Sequence, residues 1–485
     1  MNNPSFATSP NHAGEVEYVF THTIDGRGET SGERDHVINP ATGKGFAWAP
    51  LASPQQLERA IAAARAAYPA WARRGFGERA ELLDALAEAL RTRAEELARL
   101  LTREQGKPLP VARAEILTAA EFIEGTVRIP IESEALTSFE GGRRTMLHYR
   151  PIGVVAGITP WNVPIVLASH KIVQALYTGN TLVLKPSPYT PLTTLLLGEM
   201  ARAILPAGVF NVVSGGNELG QTITSHPGID RITFTGSTAT GKRIMASAAD
   251  TLKRLTLELG GNDPAIILDD ADLDKRLPGI FASSFRLCGQ VCMGIKRIYA
   301  PARLYETVCE RLAAMAQKHP VGDGFEPGVL MGPLQNRMQY DKIVALLEET
   351  RREPGARILS GGHVLDRPGY FVAPTVVAGL PESARLVREE QFGPLLPVQP
   401  YQTVDHAIAL ANDTNMGLSA SIWTEDPARA GAIAARLEAG TVWINRHVNA
   451  DANVPFGGFK ESGIGREHGL MGLRSYMEPQ VVDAA

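Results

Sequence analysis

The sequence predicts an α/β protein: a parallel, doubly wound sheet followed by a second α/β region. Three observations carry that expectation. Between Gly153 and Leu257 short β-rich runs alternate with helical ones, which is the pattern of βαβ units. A chain of 485 residues has room for two or three cores. The unusual glycine-, proline- and cysteine-bearing turns of the chain fall near expected strand ends, where open parallel sheets hold ligands.

The elements follow in order. Ser53 suits an N-cap and Pro54 a first helical turn, opening a helix that runs to Trp71. A second helix is expected over about 79–102, stopped near Gly106 and Pro108, and a third from about Val111. Strands are predicted at 154–158, 181–184, 209–213, 231–234 and 254–257. Helices are predicted between them at 164–177, 192–204, 219–226 and 240–249. The second region opens on a strand at 264–268, with another from about Ile298. Segments 138–149 and 476–482 read as two isolated strands outside both sheets, suited to pairing with a neighbouring subunit.

Composition narrows the function classes. Apolar residues make up 44% and charged residues 21%, an ordinary globular balance. With 48 basic and 52 acidic residues the net charge is −4, and no basic run is interleaved with aromatics. A nucleic-acid partner is therefore not expected. No run of about eighteen apolar residues occurs, so no membrane span is expected. The first fourteen residues are polar and do not resemble a secretory signal. The only cysteines are Cys288, Cys292 and Cys309, a sparse, odd set that suits a reducing compartment, by default the cytoplasm.

Four constellations could carry chemistry. Residues 231–243 read R-I-T-F-T-G-S-T-A-T-G-K-R: a strand, a small-residue loop, then a helix whose N-terminus could face a phosphate. These residues alone allow equally a tight turn without a ligand. They nearly spell a triphosphate P-loop, the mark of a phosphotransferase, but Arg243 replaces the hydroxyl that would hold Mg²⁺. Cys292 lies in a polar turn open to substrate, whereas Cys309 sits in a helix and Cys288 reads as packing. Asn162, fixed between Pro160 and Pro164, offers an amide to a developing oxyanion or caps the following helix. Glu258, at a strand end among leucines and glycines, has the partial burial that raises a carboxylate toward the range of a useful base.

Together these segments resemble the aldehyde dehydrogenase superfamily, and the resemblance runs through nearly the whole chain. Its carriers are P-W-N-V-P at 160–164, L-K-P-S at 184–187, F-T-G-S at 234–237 and L-E-L-G-G at 257–261. G-Q-V-C at 289–292, E-Q-F-G-P at 390–394 and P-F-G-G-F-K-E-S-G at 455–463 complete the family's order. The resemblance implies a Rossmann-like cofactor domain (1–136 and 151–257), a catalytic α/β domain (258–460) and an oligomerisation element with a C-terminal tail (137–150 and 461–485). It also implies a homodimer or homotetramer.

Residue by residue, the resemblance makes Cys292 the nucleophile and Glu258 the base. Asn162 and the Cys292 N–H form the oxyanion hole, and Lys171 joins the catalytic set. The implied reaction runs from a Cys292 thiohemiacetal, through hydride transfer, to a thioester that water hydrolyses. Lys185 and Ser187 fall to the adenine ribose, Ser237 to the pyrophosphate and Glu390 to the nicotinamide ribose, with Phe392 beside the nicotinamide. Ile158, Thr159, Pro160, Trp161, Pro188, Gly216, Phe234, Gly236, Thr240, Leu259 and Gly260 complete the cofactor set.

Two departures stand out. Many NAD-preferring relatives place a glutamate where this chain has Pro188, so NAD is expected first but with NADP allowed. Leu287 and Cys288 stand where relatives often have asparagine and a small residue. The substrate funnel implied by position is Val163, Leu167, His170, Val291, Met293 and Phe456, a largely apolar set that favours aliphatic or aromatic aldehydes. Arg286 marks the alternative, an acidic semialdehyde whose distal carboxylate it would anchor. No metal is expected.

Overall fold

The computed structural model describes residues 8–10, 16–136, 144–448 and 450–484. The expected polar N-terminal segment, apart from 8–10, and residues 138–143 of the first isolated strand lie outside them.

All five expected strands of the first sheet are present. Their spatial order is Arg254–Glu258, Arg231–Thr235, Val154–Ile158, Thr181–Lys185 and Phe210–Val212, every pair parallel. The chain thus starts in the middle of the sheet, steps outward on one side and then crosses to the other. The order reverses between Val154–Ile158 and Arg231–Thr235, and the crevice beyond that switch point is where such sheets bind ligands. His22–Ile24 and Arg27–Glu29 extend one edge, Gly463–Ile464 the other. Side chains alternate between two cores. Val154, Ala156, Ile158 and Val183 join one apolar cluster, while Val155, Leu182 and Leu184 join the other. Helices cover both faces, so the strands read as nearly continuous apolar runs.

The expected first helix is Pro54–Ala72, with Ser53 and Gln56 forming a capping box. The expected second helix is two, Phe76–Thr92 and Ala94–Gln105. The break falls at Arg93, whose backbone leaves helical geometry at φ −102° and ψ 16°. Its guanidinium then bonds Glu96 in the next helix's first turn, at 2.7 and 2.8 Å. Gly106 ends that helix in the left-handed conformation.

The second sheet has seven strands, in the order Arg357–Ser360, Thr375–Ala378, Leu395–Tyr401, Ile295–Pro301, Asp263–Ile267, Ser419–Trp423 and Thr441–Ile444. Its strand expected from Ile298 begins three residues earlier. The two terminal segments are not isolated. Arg144–Pro151 and Met477–Ala484 pair antiparallel with one another, and Glu134–Leu136 joins as a third strand. Backbone groups that would otherwise need water are thereby satisfied. Among the described residues, Met477–Ala484 keeps one edge free. No helix among the described residues is long and apolar enough to cross a membrane.

Candidate active site

The turn before Cys292 is unusual. Leu287 (φ 51°), Cys288 (φ 59°) and Gly289 (φ 71°) are left-handed in succession, which costs each non-glycine residue about 1–2 kcal/mol. Gln290 holds the turn: its N–H and its side-chain amide both donate to the Leu287 carbonyl, at 3.1 and 2.9 Å. Lys296 Nζ donates to the Gly289 carbonyl at 2.7 Å. Cys292 then emerges half-buried, while Cys288 and Cys309 are buried. Burial pushes the Cys292 thiol up to about 12; Glu390, Asp263 and Glu258 push the same way, and Lys296 pulls it down. A thiol so placed needs a base.

Glu258 ends the strand Arg254–Glu258, and neither carboxylate oxygen has a hydrogen-bond partner among the described residues. Burial, reinforced by the Glu467 charge, raises its pKa well above the usual carboxylate range. Gly457 lies against it, so close that a Cβ there would stand 2.9 Å from Oε1. Lys171, wholly buried, bonds Thr235 Oγ1 and Glu467 Oε1 at 2.9 Å and Thr233 Oγ1 at 3.3 Å.

Asn162 spans the two α/β regions. Its Nδ2 donates to the Gln290 carbonyl at 2.9 Å, leaving its second N–H for another acceptor. Its own carbonyl accepts from Lys107 Nζ at 2.9 Å. Lys107 is ion-paired with Glu115, whose other oxygen accepts the Ile165 N–H at 3.0 Å. Both charged side chains are buried. The sequence reading missed Lys107, Glu115 and Glu467, because nothing local marks a lysine or glutamate that the fold will bury.

The expected cofactor residues gather at the switch point. Ile158, Thr159, Pro160 and Trp161 leave the central strand, and Phe234, Gly236, Ser237 and Thr240 leave its neighbour. Ser237 caps the helix Thr238–Ala248, its Oγ accepting the Thr240 N–H at 3.3 Å. Gly236 stacks on the Phe234 ring, and Leu259 packs into the space left by Gly241. Gly260 faces the Glu390 carboxylate, which accepts the Gly261 N–H at 3.2 Å. Phe392, left-handed at φ 54°, meets Trp161 edge-on at 5.4 Å.

Further along, Lys185 and Ser187 are buried, Pro188 is exposed, and Gly216 precedes the helix Asn217–Ser225. Burial lowers the Lys185 ammonium to about 8, and its one side-chain bond among the described residues, to the Pro186 carbonyl, is long at 3.3 Å. The buried Thr159 hydroxyl has no partner among the described residues. Underused donors beside a capped helix N-terminus fit a dinucleotide.

Of the expected funnel, Val163, Leu167, Met293 and Phe456 are half-buried and Val291 is buried. His170 departs from that set. Its ring is buried against Phe122 and bonded to His468 at 3.0 Å. His170, Glu467 and His468 bring ligand-type atoms within 4.8 Å of one another, but that ring-to-ring bond and Lys171 already engage them. Arg286 is exposed and has no acidic partner among the described residues. It borders a cavity of about 380 Å³ together with Ser283, Arg446, His447 and Val448. A larger cavity of about 640 Å³, near Trp48 and Arg34, contains none of the expected site residues.

Comparison with known proteins agrees with this geometry. The aldehyde dehydrogenase family model matches residues 28–482. The chain is 40% identical to the succinate-semialdehyde dehydrogenase [NADP(+)] GabD of Escherichia coli (strain K12), over 92% of this chain and 94% of that one. It superposes on an E. coli NADP-dependent enzyme with a TM-score of 0.93 at 38% identity, covering 96% and 98% of the two chains. Betaine aldehyde dehydrogenase from Staphylococcus aureus, solved in complex with NAD+, gives a TM-score of 0.90 at 34% identity, over 96% and 94%. The chain belongs to the aldehyde dehydrogenase family. It is an oxidoreductase that oxidises an aldehyde with NAD or NADP.

Proposed function

We propose that Cys292 is the nucleophile, Glu258 the base for the hydrolytic water, and Asn162 with the Cys292 N–H the oxyanion hole. The observation that carries this reading is Glu258: a buried carboxylate with both oxygens unpartnered, in electrostatic reach of a thiol that burial keeps protonated. Cys292 bonds through sulfur to the aldehyde carbon as the thiolate, its proton passing to solvent. The free N–H of Asn162 then meets the oxyanion, its amide already aimed by the bond to Gln290. When bound, the nicotinamide supplies the hydride acceptor. Glu258 next draws a proton from water, which attacks the thioester and releases the acid and the thiol. Lys171 pairs with Glu467 beside Glu258. The dinucleotide lies on the residues gathered at the switch point.

The three largest sheets support a division into a cofactor domain, a catalytic domain and an oligomerisation element, although Glu134–Leu136 joins the three-stranded sheet and Gly463–Ile464 the first sheet. The free edge of Met477–Ala484, with Val481 and Val482 exposed, supports pairing with another copy in a homodimer or homotetramer. Three unpaired cysteines support a cytoplasmic setting.

Pro188 leaves the adenine-ribose pocket without a carboxylate, while buried Lys185 offers a positive charge. NAD is accepted, and NADP is discriminated against only weakly. Pro188→Glu shifts the ratio of catalytic efficiencies toward NAD by about 1–3 kcal/mol, the cost of an unsatisfied polar partner. Steady-state kinetics with both cofactors check this; an unaltered ratio refutes it.

The half-buried apolar lining favours aliphatic or aromatic aldehydes. A second reading, an aldehyde with an anionic tail, is favoured by Arg286 and Arg446, two exposed guanidiniums on one cavity without acidic partners among the described residues. The experiment that tests function is an aldehyde panel with NAD and with NADP, including pentanal, benzaldehyde and succinate semialdehyde. On the second reading, Arg286→Ala lowers kcat/KM for the semialdehyde about 10- to 100-fold and leaves pentanal unchanged, as expected for a charged hydrogen bond. Equal loss on both substrates, or none, returns the assignment to the apolar reading.

A further inference from the structure

Lys296 has an environment that packing alone does not explain. Asp263 faces Ile295 across the ladder and Pro264 faces Arg297, so Lys296 is the extra residue of a bulge. Bulges beside active sites re-aim a side chain. Arg297 turns to the carbonyls of Asn262 and Ala411, at 2.9 and 3.0 Å. Lys296 instead sends its Nζ to the Gly289 carbonyl at 2.7 Å, 5.1 Å from the centre of the Phe392 ring. It is 2% exposed, with no carboxylate within ion-pair distance among the described residues. Burying an ammonium on so few acceptors is costly, whereas methionine would fill the same volume at little cost.

Among the described residues, the charged groups that act most strongly on Cys292 are Glu390, Asp263, Glu258 and Lys296, and of these Lys296 favours a negative charge on sulfur. Asp263 is bonded by the Ser419 hydroxyl and N–H. Lys342, whose charge opposes that of Lys296, donates to the Glu390 main-chain carbonyl at 2.9 Å. His447 is bonded to the Met293 carbonyl at 2.9 Å.

We propose that Lys296 is a positioning residue for the nucleophile: its ammonium clamps the Gly289 carbonyl at the foot of the left-handed turn and supplies the positive charge that stabilises the Cys292 thiolate. The proposal rests on Cys292 being the nucleophile. Its test therefore reads the thiol directly, without turnover.

The full-length enzyme and its Lys296→Met, Lys296→Gln and Lys296→Arg variants are alkylated with iodoacetamide across a range of pH, and carboxamidomethylation at Cys292 is followed by mass spectrometry. Thermal melting is measured in parallel. Lys296→Met and Lys296→Gln should shift the alkylation midpoint upward by about one pH unit, a roughly tenfold slower reaction at neutral pH. Lys296→Arg should keep the parental midpoint. Glutamine retains a donor for the Gly289 carbonyl, so it separates loss of charge from loss of the clamp, and it serves if methionine prevents folding. A parental midpoint in the neutral variants overturns the proposal, whatever happens to melting. So does an arginine variant displaced as far as they are. Slow alkylation of Cys292 throughout, beside a turnover that survives Cys292→Ser, would instead overturn the nucleophile assignment.

Discussion

Cys292→Ser is expected to bind cofactor as the parent does and to oxidise aldehydes on the order of 10⁴-fold more slowly or worse, the scale seen when a covalent nucleophile is removed. A serine hydroxyl is a far weaker acid than a thiol, and the Cys292 site already disfavours negative charge through burial and three carboxylates. No added base is on hand to offset that. The residues placed on the cofactor belong to other segments of the chain, so binding should persist. Cys288→Ser is the control: Cys288 is buried in the left-handed turn, where burial pushes its thiol up further still. Reduced-nicotinamide absorbance reads turnover, and fluorescence titration reads cofactor binding. Near-parental turnover in Cys292→Ser, together with loss in Cys288→Ser, would exchange the two roles.

Glu258→Gln should separate the two halves of the cycle. The amide keeps the shape of the carboxyl group but takes no proton from water, so the thioester accumulates after one turnover. Rapid mixing should show a burst of reduced nicotinamide followed by a steady rate lower by about 10²–10⁴-fold. The pH dependence has a definite sign. Glu258 acts as a base only when ionised, and burial raises its pKa. Thioester hydrolysis in the parent should therefore climb with pH through a window displaced upward from ordinary carboxylates, and the glutamine variant should lose that rise. A parental steady rate, or an unchanged pH profile, would remove Glu258 from the mechanism.

Much of the fold is legible in the sequence because its signals are local. Ser53 with Pro54 marks a helix start, and five β-rich runs mark the first sheet. Cys292, Glu258 and Asn162 stand out because short turns of glycine or proline isolate each of them. What stays hidden depends on where the chain returns. Arg144–Pro151 finds Met477–Ala484 more than three hundred residues later. Lys107 acquires its meaning from the Asn162 carbonyl, 55 residues away in sequence. Leu287 and Cys288 carry no mark of a left-handed conformation, since ordinary L-residues seldom adopt it. Lys296 looks like any strand lysine until the bulge is seen.

The glycine that touches Glu258 also bears on how the enzyme can diversify. Gly457 fills with its carbonyl the position a Cβ on Gly440 would need, and Gly458 leaves the same kind of space for Ser462. The segment following Phe456 is thus locked backbone to backbone, and a side chain at Gly440 or Gly458 would force it apart. Mutational drift toward new aldehydes therefore has little freedom there. It is channelled to positions that are less enclosed, half-buried Val163, Leu167 and Met293 and exposed Arg446 among them. Lineages descending from this sequence should vary at those four positions while the glycine seam stays constant.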